Sequence, residues 1–364
     1  MKYAAFTIVS LILVFAFAVD VNAETSARDA AEELYESLDE NGAAAARAAE
    51  NGSGFDFNSG ISKVISIAAE NFGPILSKSI ASAARLLAVS LLASAAVSAF
   101  PETPNSSFAL NACASAAVII AGTVELNSAL GTAVDLQNRL SAFSKVLFPV
   151  LTAAGAASGA GGEALMRQSG TALFSDLMVS AYSKLLIPFV MGYIGLRLAG
   201  SVSENPFFQK LADWLKNLVT GGMKIFLMLF VGYVTISGAV GRAADSLAVR
   251  SAKTAASSVP YIGGVIAEAA DAVFAGAAVI KGYIGVFGTV AVLGSAILPV
   301  LSCGLGWGCV RLAAMFSMSL PAKCGQSAIE TVAEAMGLVF AMAAASTALM
   351  LLSVIVCMNT AGAA

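Results

Sequence analysis

Apolar residues in this chain gather into long charge-free runs instead of alternating with polar ones. The runs fall at about 86–100, 108–124, 146–160, 185–199, 225–241, 282–302 and 335–358, with a further stretch at 305–320. A perpendicular transmembrane helix needs about 20 such residues. Several runs are shorter, but each reaches that length by taking in one charged residue, so the pattern predicts six to eight spans. The expected fold is all-α, a polytopic transmembrane helical bundle over residues 58–364. Lys and Arg occur on both sides of successive spans, so the positive-inside rule leaves the orientation open.

Other patterns are amphipathic. Asn205 suits an N-cap and Pro206 the first helical position. Phe207, Leu211, Trp214, Leu215 and Leu218 then share one face, and Lys210, Asp213, Lys216 and Asn217 share the other. Residues 205–220 are therefore expected to form an interfacial helix lying on the membrane and ending at Gly221 and Gly222. The alternative is a loop helix packed on the bundle. At the N-terminus, Lys2, the apolar stretch 3–19 and Val21-Asn22-Ala23 read as a signal peptide over 1–23, its rival being an uncleaved first span. Residues 24–57 follow as an acidic extracytoplasmic leader. Ala27, Ala30, Leu34 and Leu38 recur at helical spacing there, until residues 51–54 break the pattern. That leader is either a docked helix or an unstructured segment.

Composition agrees that lipid is the main solvent. The 364 residues are 58% hydrophobic and only 12% charged, with a mean hydropathy of +0.83. A soluble domain carries about 25% charged residues. Residues 24–57 hold nine acidic and two basic side chains, whereas 58–364 hold thirteen acidic and seventeen basic. No basic cluster is interleaved with aromatics, so nucleic acid is not an expected partner. The chain has five cysteines, none in a CxxC pair, and no histidine. Metal and haem sites thereby lose their commonest ligand, and no cofactor is expected. Ser-His and Cys-His catalysis is ruled out, a Ser–Lys arrangement at Ser251 and Lys253 stays formally open, and no phosphate-binding GxxxxGK[ST] loop is present. The chain is read as a non-enzyme with no catalytic residues. Gly155 with Gly159, and Gly282, Gly285, Gly288 and Gly294, suit close helix packing, with a pore lining or subunit contact as alternatives. Glu330 and Glu334, one turn apart, suit the head of the last span.

Residues 242–281 stand out. They hold seven charges, Arg242, Asp245, Arg250, Lys253, Glu268, Asp271 and Lys281, between two charge-free runs. Ionisable groups at membrane depth are costly unless paired or wetted, and so signal function. Arg242, Asp245, Arg250 and Lys253 share an arc of about 140° on one helix face. Pro260 with Gly263 and Gly264 then interrupts the helix. Glu268 and Asp271 share one face of the second arm. The expectation is a Pro/Gly-broken helical hairpin in which Lys253 or Arg250 meets Glu268 or Asp271. It either lines a buried cavity or lies solvated at the surface.

The run also carries a family resemblance. Lys253-Thr254-Ala255, Pro260 with Gly263 and Gly264, Glu268 with Asp271, and Lys281-Gly282 resemble the signature of the stage III sporulation protein AE family. The resemblance is sharp over about 225–302 and architectural elsewhere. It implies an integral membrane subunit of the envelope-spanning channel joining mother cell and forespore, required for forespore development. It further implies residence in the mother-cell-derived membrane around the forespore, beside a secretion-type ATPase and ring-forming subunits. A second copy of the chain is a further candidate partner. The alternative is a stand-alone secondary transporter using Glu268, Asp271 and Glu125.

Overall fold

The structure is a computed structural model describing residues 32, 34–51, 54–99, 104–157, 187–203, 205–257, 263–317 and 323–358, with scattered positions between 165 and 185. The signal-peptide region 1–23 lies outside the described residues, as do the side chains of 237–281.

The first helix described in full is α1 (Glu40–Ala49). Asp39 caps it, accepting a hydrogen bond from the Gly42 amide at 3.0 Å on Oδ1. The break expected at 51–54 is a two-residue antiparallel ladder, β1 (Glu50–Asn51) with β2 (Gly54–Phe55). Asp56 then caps α2 (Phe57–Ala99) by accepting from the Asn58 and Ser59 amides at 3.1 and 3.2 Å. Five further helices follow: α3 (Pro104–Ala157), α4 (Ile187–Ser203), α5 (Pro206–Ser257), α6 (Gly263–Ser317) and α7 (Lys323–Met358).

The eight apolar runs fall on six helices. α2, α3, α5, α6 and α7 are long and apolar enough to cross a membrane, and Ile187–Gly200 in α4 is a shorter apolar helix. Two pairs of expected spans have merged. Runs 108–124 and 146–160 share α3, and 282–302 and 305–320 share α6. Residues 125–145 contain no proline and are rich in helix formers, so nothing stops α3. Its 54 residues extend about 80 Å against a hydrocarbon layer of about 30 Å. α3 is therefore more than a simple span.

α5 begins as expected, with the Phe207 amide donating to Asn205 Oδ1 at 2.9 Å. The expected stop at Gly221 and Gly222 does not occur. Glycine costs a helix only about 1 kcal/mol and does not end it unless a turn takes over. Here the apolar run that follows continues the helix to Ser257.

α6 and α7 form the centre. In their most apolar windows 56% of residues are buried, against 33%, 28% and 24% for α3, α2 and α5. α7 packs on α6 and α3, α2 packs on α6, and α4 bridges α5 and α7. Leu126, Leu136, Leu147 and Leu151 of α3 meet Ile329, Val332 and Val339 of α7 in one core. The helix of the acidic leader is docked: α1 lies on α6 with Ala45 and Ala49 fully buried beside Val290. A Cβ at Gly294 would fall 2.7 Å from Ala45 Cβ and 2.8 Å from the Asn41 carbonyl, so only glycine lets α1 approach this closely. Gly288, packed on Leu147 and Val354, likewise serves contact within the chain.

Candidate functional site: a polar cavity and a charged cluster in the bundle

The charged run seen in the sequence is split between two helices. Arg242, Arg250 and Lys253 lie on the last third of α5, while Gly263, Gly264, Glu268, Asp271 and Lys281 lie on the first third of α6. Pro260 lies outside the described residues. Arg242 is thus a continuation of the helix that holds the preceding apolar run.

A different feature carries the geometry. α2, α3, α6 and α7 border a half-open polar cavity of about 350 Å³, with Asp39 and Asn41 of the leader also lining it. Helical periodicity builds its walls. Lys78, Ser79 and Ser82 share one face of α2, while Glu125, Ser128, Ala129 and Thr132 share one face of α3. Pro299, Ser302, Cys303 and Gly306 come from α6, and Met336 closes the side toward α7. Pro299 has no N–H, so the Ser295 carbonyl loses its helical partner beside this cavity.

Two ion pairs frame the cavity. Arg139 donates to Asp39 Oδ2 at 3.4 Å, fastening the leader to α3. Arg85 donates to Glu125 Oε1 at 3.1 Å, fastening α2 to α3. Glu125 was legible in the sequence as a carboxylate within an apolar setting, but the cavity it borders was not.

A second cluster joins α4, α5 and α7. Glu334 accepts from Lys216 Nζ at 2.9 Å and from the Tyr193 hydroxyl. Arg197 donates to Asp213 at 2.6 Å and lies 3.7 Å from Glu334, its guanidinium 5.5 Å from the Tyr193 ring centre. Two cations and two carboxylates neutralise one another, which lowers the cost of holding them within apolar helices. Glu330, one turn before Glu334, instead pairs with Arg311 at 3.7 Å. The two glutamates thus tie α7 to different neighbours instead of marking a helix terminus.

The leader has its own anchor. The Tyr35 hydroxyl donates to Glu50 Oε2 at 2.9 Å, its ring packs edge-on against Phe287, and Arg47 lies over that ring. Burial first, and then the Glu50 bond, push the phenol above its ordinary range and keep it a donor. Among the described residues no three His, Cys, Asp or Glu side chains converge as a metal site requires. The cavity and cluster can bind and orient polar groups inside an apolar bundle.

Residues 47–362 match the family model described as stage III sporulation protein AE. A relative from Bacillus subtilis (strain 168), stage III sporulation protein AE, is 23% identical over 185 residues, 50% of this chain and 46% of the relative. The matched stretch thus spans under half of that relative's length. No solved structure matches. The chain belongs to the stage III sporulation protein AE family and is a sporulation membrane protein.

Proposed function

We propose that this member of the family is a non-enzymatic, multi-pass subunit of the envelope-spanning channel that links mother cell and forespore. It resides in the mother-cell-derived membrane around the forespore, acts beside an ATPase and ring-forming subunits, and is required for forespore development. The observation that carries the reading is the family match across 47–362, which takes in all five described helices long and apolar enough to cross a membrane. The polar cavity among the apolar helices supports it, because ionisable groups gathered among such helices mark functional paths. In this reading the charged stretch on α5 and α6 belongs to the conduit. Lys253→Ala and Asp271→Ala then block forespore development while the protein still accumulates in membranes. Normal sporulation in both variants would overturn that role. The charge swap Lys253→Asp with Asp271→Lys restores development if the two arms touch.

The second reading, a stand-alone secondary transporter, is favoured by one observation, Glu125 on the wall of that cavity. Ion-gradient-driven uptake by the purified chain alone in liposomes would establish it and displace the subunit reading.

A further inference from the structure

Contacts between helices fix their relative heights. Gly122 of α3 packs on Val332 of α7, and Gly288 of α6 packs on both Leu147 of α3 and Val354 of α7. α3 and α7 therefore run side by side in the same direction. Residues 125–147 of α3 lie level with α7 inside its charge-free run 335–358. α2 runs the other way, with Arg85 paired to Glu125 at one end and Gly60 packed on Val290 at the other. Phe230 of α5 packs with Met342 and Leu349, so it lies at this height too.

At that one height the two flanks of the bundle expose different chemistry. The α5 flank exposes Met228 at 75% and Leu229 at 60%, as lipid contact requires. The α2–α3 flank exposes Glu70, Lys78, Asp135, Asn138 and Arg139. Asp135 stands about 15 Å along α3 from Glu125 and about 18 Å from Leu147. Its short side chain cannot snorkel that far. Neighbouring helix axes lie about 8–10 Å apart, so even a tilt of about 40° shifts α3 against α7 by only about 6 Å. A bilayer around α7 thus holds the charged flank at its own depth, where water and protein can cover it and lipid cannot. Ile65, Phe72 and Ile80 of α2 are also exposed and share one helix face. An apolar seam flanked by charges is the pattern of a helix that packs on another helix.

We propose that the α2–α3 flank is an interface to a second copy of this chain. That copy seats on the seam of Ile65, Phe72 and Ile80 and shuts lipid away from a water-filled space bordered by the charges of α2 and α3. A lone chain at this depth has lipid on every outward side, so only another protein can enclose that water. The exposed charges balance, Glu70 and Asp135 against Lys78 and Arg139, so an identical face meets them without net repulsion. The inference extends the channel-subunit reading, on which it rests for the purpose of the enclosed water, by naming the face turned away from lipid.

The test uses the purified full-length chain in phosphatidylcholine nanodiscs, with its five cysteines replaced by alanine. Asn138→Cys and Met228→Cys are then introduced one at a time and treated with a charged, water-soluble thiosulfonate. Asn138→Cys should react at least about tenfold faster, because the reactive thiolate forms in water and not in lipid. Light scattering of the protein in mild detergent should find more than one copy per particle, and Phe72→Glu should shift the particles to single chains. Phe72 is exposed within one chain, so that variant keeps its fold, which thermal unfolding checks. If Asn138→Cys reacts no faster than Met228→Cys, the aqueous face is overturned. Single chains throughout, or a copy number unchanged by Phe72→Glu, overturn the seam as the interface to a second copy. None of these readouts involves sporulation, so their failure leaves the subunit reading to its own test.

Discussion

Lys216 and Glu334 stand 118 residues apart in sequence and meet at 2.9 Å, joining α5 to the central helix α7. The same carboxylate accepts from Tyr193 of α4, so one side chain fastens two peripheral helices to the core. The Lys216 and Glu334 side chains are 34% and 19% exposed, less wetted than an ordinary surface pair. Such a pair is worth more than the few tenths of a kcal/mol typical of exposed partners.

Glu334→Ala strands Lys216 and the Tyr193 hydroxyl together. Loss of hydrogen bonds to a charged group costs about 1–3 kcal/mol. The expected result is lower thermal stability in detergent. A double-mutant cycle with Lys216→Met should give a coupling of at least about 0.5 kcal/mol. Additive losses would show that the pair is incidental.

Asp39 has two jobs, one on each carboxylate oxygen: it caps α1 and it holds Arg139. Substitution separates them. Asp39→Asn retains an N-cap and loses the charge, whereas Asp39→Ala loses both. The alanine variant is expected to be about 1 kcal/mol less stable than the asparagine variant. Equal stabilities would mean that the cap contributes nothing to docking.

Gly294 sets how closely the leader approaches α6. An added Cβ would meet the Ala45 methyl at 2.7 Å and backbone oxygen at 2.8 Å, and backbone cannot step aside as a side-chain tip can. Gly294→Ala should therefore loosen α1, at about 1–3 kcal/mol of overpacking. Tryptic cleavage after Arg47 in the folded protein reports it directly. Unchanged protection of Arg47 would contradict the close contact.

Much of this architecture was legible beforehand, for identifiable reasons. Long charge-free runs and a low charge content mark a helical membrane bundle. Asn205 and Pro206 announced the start of α5 from local chemistry alone. The end of that helix was misjudged because glycine only weakens a helix, and the apolar residues after Gly222 sustain it. Span pairs merged for a similar reason, since a charged but helix-favouring stretch such as 125–145 reads as a loop in hydropathy and as a helix in propensity. The cavity and the Glu334 cluster were not foreseen. Each depends on residues from three or more helices, and nothing local in Lys78, Ser82 or Tyr193 says which neighbour arrives. One signal was available: Arg197, Lys216 and Glu334 are isolated charges beside apolar runs, and isolated charges in such places seek one another.

Asp56 gives the fold an acid-sensitive point outside the apolar part of α2. The Ser59 hydroxyl donates to its carboxylate at 2.6 Å and the Asn58 and Ser59 amides add to that, so its pKa lies below the ordinary aspartate value. A carboxyl depressed in the folded state lends stability that is complete above the unfolded value, near 3.9, and is lost as pH falls through the folded one. As the pH falls below the ordinary aspartate range the cap should therefore loosen first, and amide exchange at Asn58 and Ser59 should quicken ahead of the rest of α2. Asp56→Asn preserves a cap that does not titrate. In that variant the same amides should exchange at a rate that no longer rises selectively on the acid side. An identical acid response in the two proteins would place the sensitivity elsewhere.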